Sequence, residues 1–244
     1  MKKTTIALVS GLLASVIVSE AADTNQWVTS AAAGLTLTRG NSETLLANLS
    51  VASARKTPID EILLGASGTY GETKDQKTGV TDKNAESVSA FGQYNRSFNE
   101  RWYGGFRVDF LYDAIAEVDY RVTLSPLVGY YAIKKPMTTL KFEAGPAGVL
   151  ERVGGVDDQY AALRLGERFE HKFSDKARMW QSLEFVPQVD RFQNYLITAE
   201  IGAEASLTEK LSLRAVLQDL YDNEPAPGRK NNDIKLITSL AYKF

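Results

Sequence analysis

The chain has 244 residues, a formal net charge of −2 and no cysteine. That balance excludes a nucleic-acid partner, which requires a basic surplus, and the missing cysteines exclude the disulfide staples of many small secreted domains. With 44% hydrophobic and 24% charged residues, the composition is not that of a disordered chain either.

Lys2 and Lys3 precede an apolar stretch from Ile6 to Val18, shorter than the ~20 residues of a membrane-spanning helix. Ser19-Glu20-Ala21 then puts small residues at both positions read by a signal peptidase. Residues 1–21 are therefore predicted to be a cleaved signal peptide and 22–244 the mature domain. No later segment offers 18 consecutive apolar residues. A membrane-embedded form would have to be a closed β-barrel, the one strand architecture that satisfies its whole backbone in lipid.

Along the mature chain, hydrophobicity alternates with the strand period of two. Trp102, Gly104, Phe106, Val108, Phe110 and Tyr112 share one face, and Arg101, Tyr103, Gly105, Arg107 and Asp109 the other. The same pattern predicts twelve strands at 27–39, 44–56, 61–72, 84–97, 101–113, 120–133, 138–152, 160–173, 177–190, 194–207, 211–222 and 233–244. Each can cross a bilayer, which takes roughly 9–11 tilted residues, whereas strands of soluble proteins run nearer five or six. Turns after the even-numbered strands are short, as at Phe98-Asn99-Glu100 and Ser174-Asp175-Lys176, and the others are generally longer, as at 73–83 and 223–232. That asymmetry fits short periplasmic turns and longer outer loops, with both termini in the periplasm.

Aromatic residues gather near predicted strand ends, as interfacial girdles require. Tyr70, Tyr112, Tyr120, Tyr195 and Tyr221 mark one rim, and Tyr94, Trp102, Tyr130, Phe169, Trp180 and Tyr242 the other. The last strand presents Ile234, Leu236, Thr238, Leu240, Tyr242 and Phe244 on its outward face. Tyr242 and the closing Phe244 resemble the signal that the barrel assembly machinery recognises. Two features disturb the pattern. Glu167 falls on the outward face between Leu165 and Phe169, which predicts a bulge or a subunit contact there. Pro126, Pro146 and Pro187 lie inside strands and predict local bulges, because proline removes a ladder donor.

The inward face carries the candidate functional residues. Strands one to four offer small or neutral groups, including Ser30, Ala32, Thr36, Asn48, Ser50, Gly65, Ser67, Thr69, Ser87 and Ser89. Strands five to twelve offer charges: Arg107, Asp109, Arg121, Lys141, Glu143, Arg164, Arg168, Glu184, Glu200, Glu204, Arg214 and Lys235. Opposite charges on neighbouring strands can pair, giving a polar lining or a constriction that selects solutes. The small wall predicts a narrow off-centre pathway along the first four strands. A serine mechanism would need a histidine base. The single histidine, His171, falls on the lipid face beside Phe169 and Phe173, so no enzyme, cofactor or metal site is expected. The expected partners are outer-membrane lipid and lipopolysaccharide.

Two stretches carry a family resemblance. Gly34-Leu35-Thr36-Leu37-Thr38-Arg39-Gly40-Asn41-Ser42 looks like the opening hairpin of the salt-induced outer-membrane protein family (YdiY-like). Arg121 with Gly129-Tyr130-Tyr131 and Glu143-Ala144-Gly145 resembles its central region. The resemblance implies an outer-membrane location and a link to salt or osmotic conditions, and it carries over no catalytic residues.

Overall fold

The computed structural model describes residues 25–38, 42–75 and 78–244. The predicted signal peptide and the Arg39-Gly40-Asn41 turn lie outside the described residues, as does the side chain of Thr36. Twelve strands form: β1 (Trp27–Thr38), β2 (Ser42–Lys56), β3 (Asp60–Asp75), β4 (Thr81–Ser97), β5 (Trp102–Asp113), β6 (Val118–Lys135), β7 (Thr138–Val153), β8 (Val156–Ser174), β9 (Ala177–Pro187), β10 (Tyr195–Ser206), β11 (Leu211–Asp222) and β12 (Asn232–Lys243). Each pairs antiparallel with its sequence neighbours, and β1 pairs with β12, so the sheet is a closed barrel. Phe244 extends the closing seam by donating its backbone N–H to the Thr29 carbonyl at 3.0 Å. β1 starts and β12 finishes at the same end, called here the near end.

Alternation fixes which side chains face out. Leu49, Phe106, Phe142, Leu165, Leu183, Ile201, Leu217 and Leu236 lie outside and are exposed. Arg107, Arg164, Glu200 and Arg214, on the opposite parity, are buried inside. An apolar exterior around a charged interior is the inverse of a water-soluble barrel, and hydrocarbon is the surroundings that favour it. Aromatic pairs mark both rims. Trp102 and Tyr130 lie 4.7 Å apart between ring centres at the near end, and Tyr195 and Tyr221 stack at 5.7 Å at the far end. Trp180 departs from the expected girdle. It has the inward parity of Arg178 and Glu184 and is 0% exposed.

The prolines also differ from expectation. Pro126 and Pro146 stand opposite each other between β6 and β7. The ladder lapses from Leu124↔Gly148 to Val128↔Ala144 and resumes in the same register, so no bulge forms. The β5–β6 pairing runs through Pro126 unbroken, so the missing donors fall in one shared gap. Gly145 makes the arrangement possible, because a Cβ there would collide with the Pro126 carbonyl oxygen. Pro187 ends β9 rather than kinking it, and the strand stops short of the expected residue 190. No bulge occurs at Glu167 either, since β8 pairs continuously with β7 from His171 to Val156. The register shifts lie nearer strand ends, at Gly71/Glu72, Leu111/Asp113, Val118/Tyr120, Tyr131/Ile133 and Lys172/Ser174.

Gly145→Ala should therefore destabilise the barrel by about 2 kcal/mol, the ordinary cost of overpacking. Gly148→Ala, three residues along the same strand with nothing within 4 Å of the added carbon, should leave stability unchanged. Denaturant unfolding in detergent micelles checks the pair.

Candidate functional site: the charged lumen

Glu143 on β7 is the hub of the interior. Its Oε1 accepts hydrogen bonds from Tyr103 Oη on β5 at 2.6 Å, Gln93 Nε2 on β4 at 3.0 Å and Lys141 Nζ at 3.0 Å. β4 and β7 are not neighbours in the sheet, so the Gln93 bond is a chord across the lumen. Tyr103 reaches the hub by crossing the face of Gly129, where any side chain would overlap its ring. Arg107 extends the network. It donates to Gln93 Oε1 at 3.0 Å, pairs with Asp109 at 2.6 Å and stacks over Phe91 at 4.4 Å. Arg164 completes the layer by bonding Glu184 and lying 3.7 Å from Glu143. Four strands thereby bring charge to one level.

A second group lines β8 to β12. Glu200 accepts from Trp180 Nε1 at 2.6 Å and Gln218 Nε2 at 2.7 Å. The Trp180 indole lies flat over Gly202, and no Cβ could fit between them. Nearer the near end, Arg178 bridges Glu170 at 3.4 Å and Glu204 at 3.2 Å, and Arg214 holds Glu204 at 2.9 Å. Arg168 lies 3.7 Å from Glu170. Lys235 is buried on β12, without a hydrogen-bond partner, in the field of Asp113 and Asp233.

The far mouth is tied across. Arg121 on β6 bonds Glu151 on β7 and reaches Asp222 on β11 at 2.7 Å. Above it, Arg229 of the β11–β12 loop grips Glu117 of the β5–β6 turn at 2.6 and 3.1 Å. Glu117 adopts a left-handed φ of 58°, uncommon for a residue with a side chain. Its carbonyl accepts from Gly154 N at 2.8 Å, which joins a third turn to the cluster. Asp113 Oδ1 anchors the same turn by accepting from the backbones of Ile115 and Ala116.

The free space is divided. A cavity of about 360 Å³ lies under the far-end turns, bordered by Arg121, Asp222, Val186 and Glu184. One of about 180 Å³ lies on the near side of the Arg107–Arg164 layer, bordered by Lys141, Glu143, Arg168 and Glu184. Glu184 borders both, so that layer is the partition between them. A third, of about 750 Å³, opens at the near end beside Arg178 and Glu204. The small wall is not open space. Ala32, Ser67, Thr69, Ser87 and Ser89 are buried, and the Phe91 ring packs onto Gly65. The pathway expected along the first four strands is thus blocked by side chains around Phe91, while Ser30 borders the near-mouth cavity and Ser89 the far one.

All twelve charged residues singled out in the sequence have the inward parity, and the structure joins all of them but Lys235 into networks through partners that sequence reasoning passed over. Gln93, Tyr103, Glu151, Glu170, Arg178, Trp180, Gln218 and Asp222 share that parity, which is the signal that could have found them. His171 faces outward, its Nδ1 2.8 Å from Thr138 Oγ1 and its ring edge-on to Phe173 at 4.9 Å. Glu167 also faces outward, opposite Phe142 and Leu183.

A family model described as "Protein of unknown function, DUF481" matches residues 31–244, so the chain belongs to that family. No curated protein is significantly similar in sequence. Among solved structures, the chain resembles the NanC porin at 8% identity and a TM-score of 0.52, over 89% of this chain and 98% of that one. It also overlays the KdgM porin at 9% identity and a TM-score of 0.47, over 90% and 99%. The translocator domain of the autotransporter NalP from Neisseria meningitidis gives 13% identity and a TM-score of 0.46, over 89% and 87%. The NanC likeness shows the fold: a porin-type barrel.

Replacing the hub has a definite expected cost. Glu143→Ala leaves Lys141 and Arg164 facing each other without their carboxylate, and breaking a buried ion pair from one side costs about 3 kcal/mol. Unfolding midpoints should fall accordingly, whereas Glu209→Ala, in the exposed near-end turn, should change nothing measurable.

Proposed function

We propose that this DUF481 barrel is a narrow passive pore of the bacterial outer membrane, for small solutes or ions, whose opening responds to salt. One observation carries the reading: a charged layer spans a polar interior and leaves a cavity on either side. A purely structural barrel has no need of cavities on both sides of a charged partition, and a pore needs them as vestibules. The apolar exterior and the porin-type fold support the membrane setting. In that setting the near end with its short turns faces the periplasm, and lipid and lipopolysaccharide surround the exterior. The assembly machinery reads Tyr242 and Phe244. The reading assigns no catalysis, in keeping with a lone histidine held among aromatic rings on the lipid face.

The link to salt, which the resemblance to salt-induced proteins suggests, gains a physical basis at the far mouth. Arg229 and Glu117 are 37% and 42% exposed. Exposed pairs are screened as the Debye length shrinks from ~8 Å at physiological ionic strength to ~3 Å at 1 M. The inner pairs around Arg164 and Glu143 are enclosed and feel salt far less.

Planar-bilayer recording of the purified barrel tests both parts. Small, discrete steps are expected, and the double variant Arg164→Ala/Glu184→Ala should enlarge them severalfold by thinning the partition. Arg229→Ala should raise open probability at low salt and converge with the unaltered protein near 1 M. Absence of steps from folded protein, including the double variant, would refute the pore.

A further inference from the structure

On the near side of the partition, charge is not balanced pair by pair. Lys141 on β7 stands directly opposite Arg168 on β8, and Lys172 on β8 opposite Arg178 on β9. Like charges facing each other across neighbouring strands destabilise a sheet. The carboxylates present are shared. Glu143 serves Lys141 at 3.0 Å and stands 3.7 Å from Arg164, while Glu170 stands 3.7 Å from Arg168 and 3.4 Å from Arg178.

Two guanidinium nitrogens are left enclosed with no hydrogen-bond partner, Arg164 Nη1 and Arg168 Nη2. Arg164 as a whole is only 4% exposed. A buried donor without an acceptor costs the desolvation it cannot recover, and an arginine fork is shaped for the oxygens of a carboxylate or phosphate. Both arginines border the cavity of about 180 Å³, in which basic side chains outnumber acidic ones. Gly166 lies between them on the same strand face, and the nearest neighbour of a Cβ added there would be Glu143, at 3.7 Å. No side chain of β8 itself therefore stands between the two arginine stems. Lys56 and Lys172 continue the positive lining.

We infer that this cavity is an oxyanion site, taking a small solute with two or more carboxylate or phosphate oxygens between Arg164, Arg168 and Lys141. The inference deepens the pore reading by naming its solute class, and it rests on that reading only in requiring that solute can enter from the near mouth. The ligand's oxygens would supply hydrogen-bond acceptors to these two nitrogens, each of which now has a carboxylate only at ion-pair distance, 3.7 Å, and would relieve the Lys141–Arg168 repulsion.

Isothermal titration of the folded full-length barrel in non-ionic detergent tests it, with citrate and inorganic phosphate as probes and choline as the cationic control. Ionic strength is held constant with sodium chloride. Citrate should bind saturably and more tightly than phosphate, and choline should not bind. Arg168→Gln and Lys141→Gln should each weaken citrate at least tenfold, while Lys83→Gln, the same charge change at the exposed far end, should not. No saturable citrate or phosphate binding to the unaltered protein overturns the site, as does binding that survives both lumen variants or is matched by choline. If one variant fails to fold, as heat-modifiable gel mobility reveals, the other and the unaltered protein still decide. Binding in micelles is independent of current. A barrel that conducts without binding defeats the site alone, and one that binds without conducting defeats the pore alone.

Discussion

A strand in hydrocarbon cannot leave a backbone N–H or C=O unpaired, since each such group costs several kcal/mol with no water to take the missing bond. Closure of the β1–β12 seam meets that demand for the sheet as a whole, and the local irregularities obey it too. Pro126 and Pro146 are tolerated because they face each other, so two absent donors share one gap and the register survives on both sides. Gly145 lets the two backbones approach there. Pro187 has no such counterpart, and β9 ends at it. Beyond that point the Val189 N–H goes to the Ala161 carbonyl at 2.9 Å, so the edge that β9 leaves on β8 is still partly used.

Closure then sets the problem of the interior. Inward side chains crowd those of the next strand, and three large rings lie down where their register partner is a glycine. Phe91 packs on Gly65, Tyr103 on Gly129 and Trp180 on Gly202. Arg107 lies on Phe91 in turn, with its guanidinium held by Gln93 and Asp109. What free volume remains is displaced along the axis, above and below the layer where Arg107, Glu143, Arg164 and Glu184 meet.

Much of this was legible in the sequence, because period two reports the face of each residue directly. Strand number, near-end turns and the inward set from Arg107 to Lys235 follow from parity alone. Trp180 shows the limit. Its place near a strand end suggested a girdle, but parity puts it inside, and the deciding partner is Gly202 on the next strand. Chords such as Gln93–Glu143 and Arg121–Asp222 are a different case. They join strands that are not neighbours, so they depend on the stagger of the whole barrel, which no local pattern encodes. The prolines misled for a related reason. Each taken singly predicts a bulge, and only the register shows that two of them cancel into one gap.

The charged groups fall into two electrostatic regimes. Pairs around Glu143 and Glu200 sit where water is scarce and their geometry is fixed by aromatic neighbours, so removing one partner is costly and added salt has little purchase. Arg229 and Glu117 sit at the far mouth in high dielectric, where a pair contributes at most about 1 kcal/mol and salt erodes it. Yet this weak pair joins two far-end turns, and the Glu117 carbonyl ties in a third through Gly154. Its loss would loosen those turns without disturbing the Arg121–Asp222 tie or the layer beneath. A barrel built this way separates what must stay fixed, the charged partition, from what ionic strength can reach, the cover over the mouth. That separation follows from burial alone, since the same two charge types serve in both places and only their exposure differs.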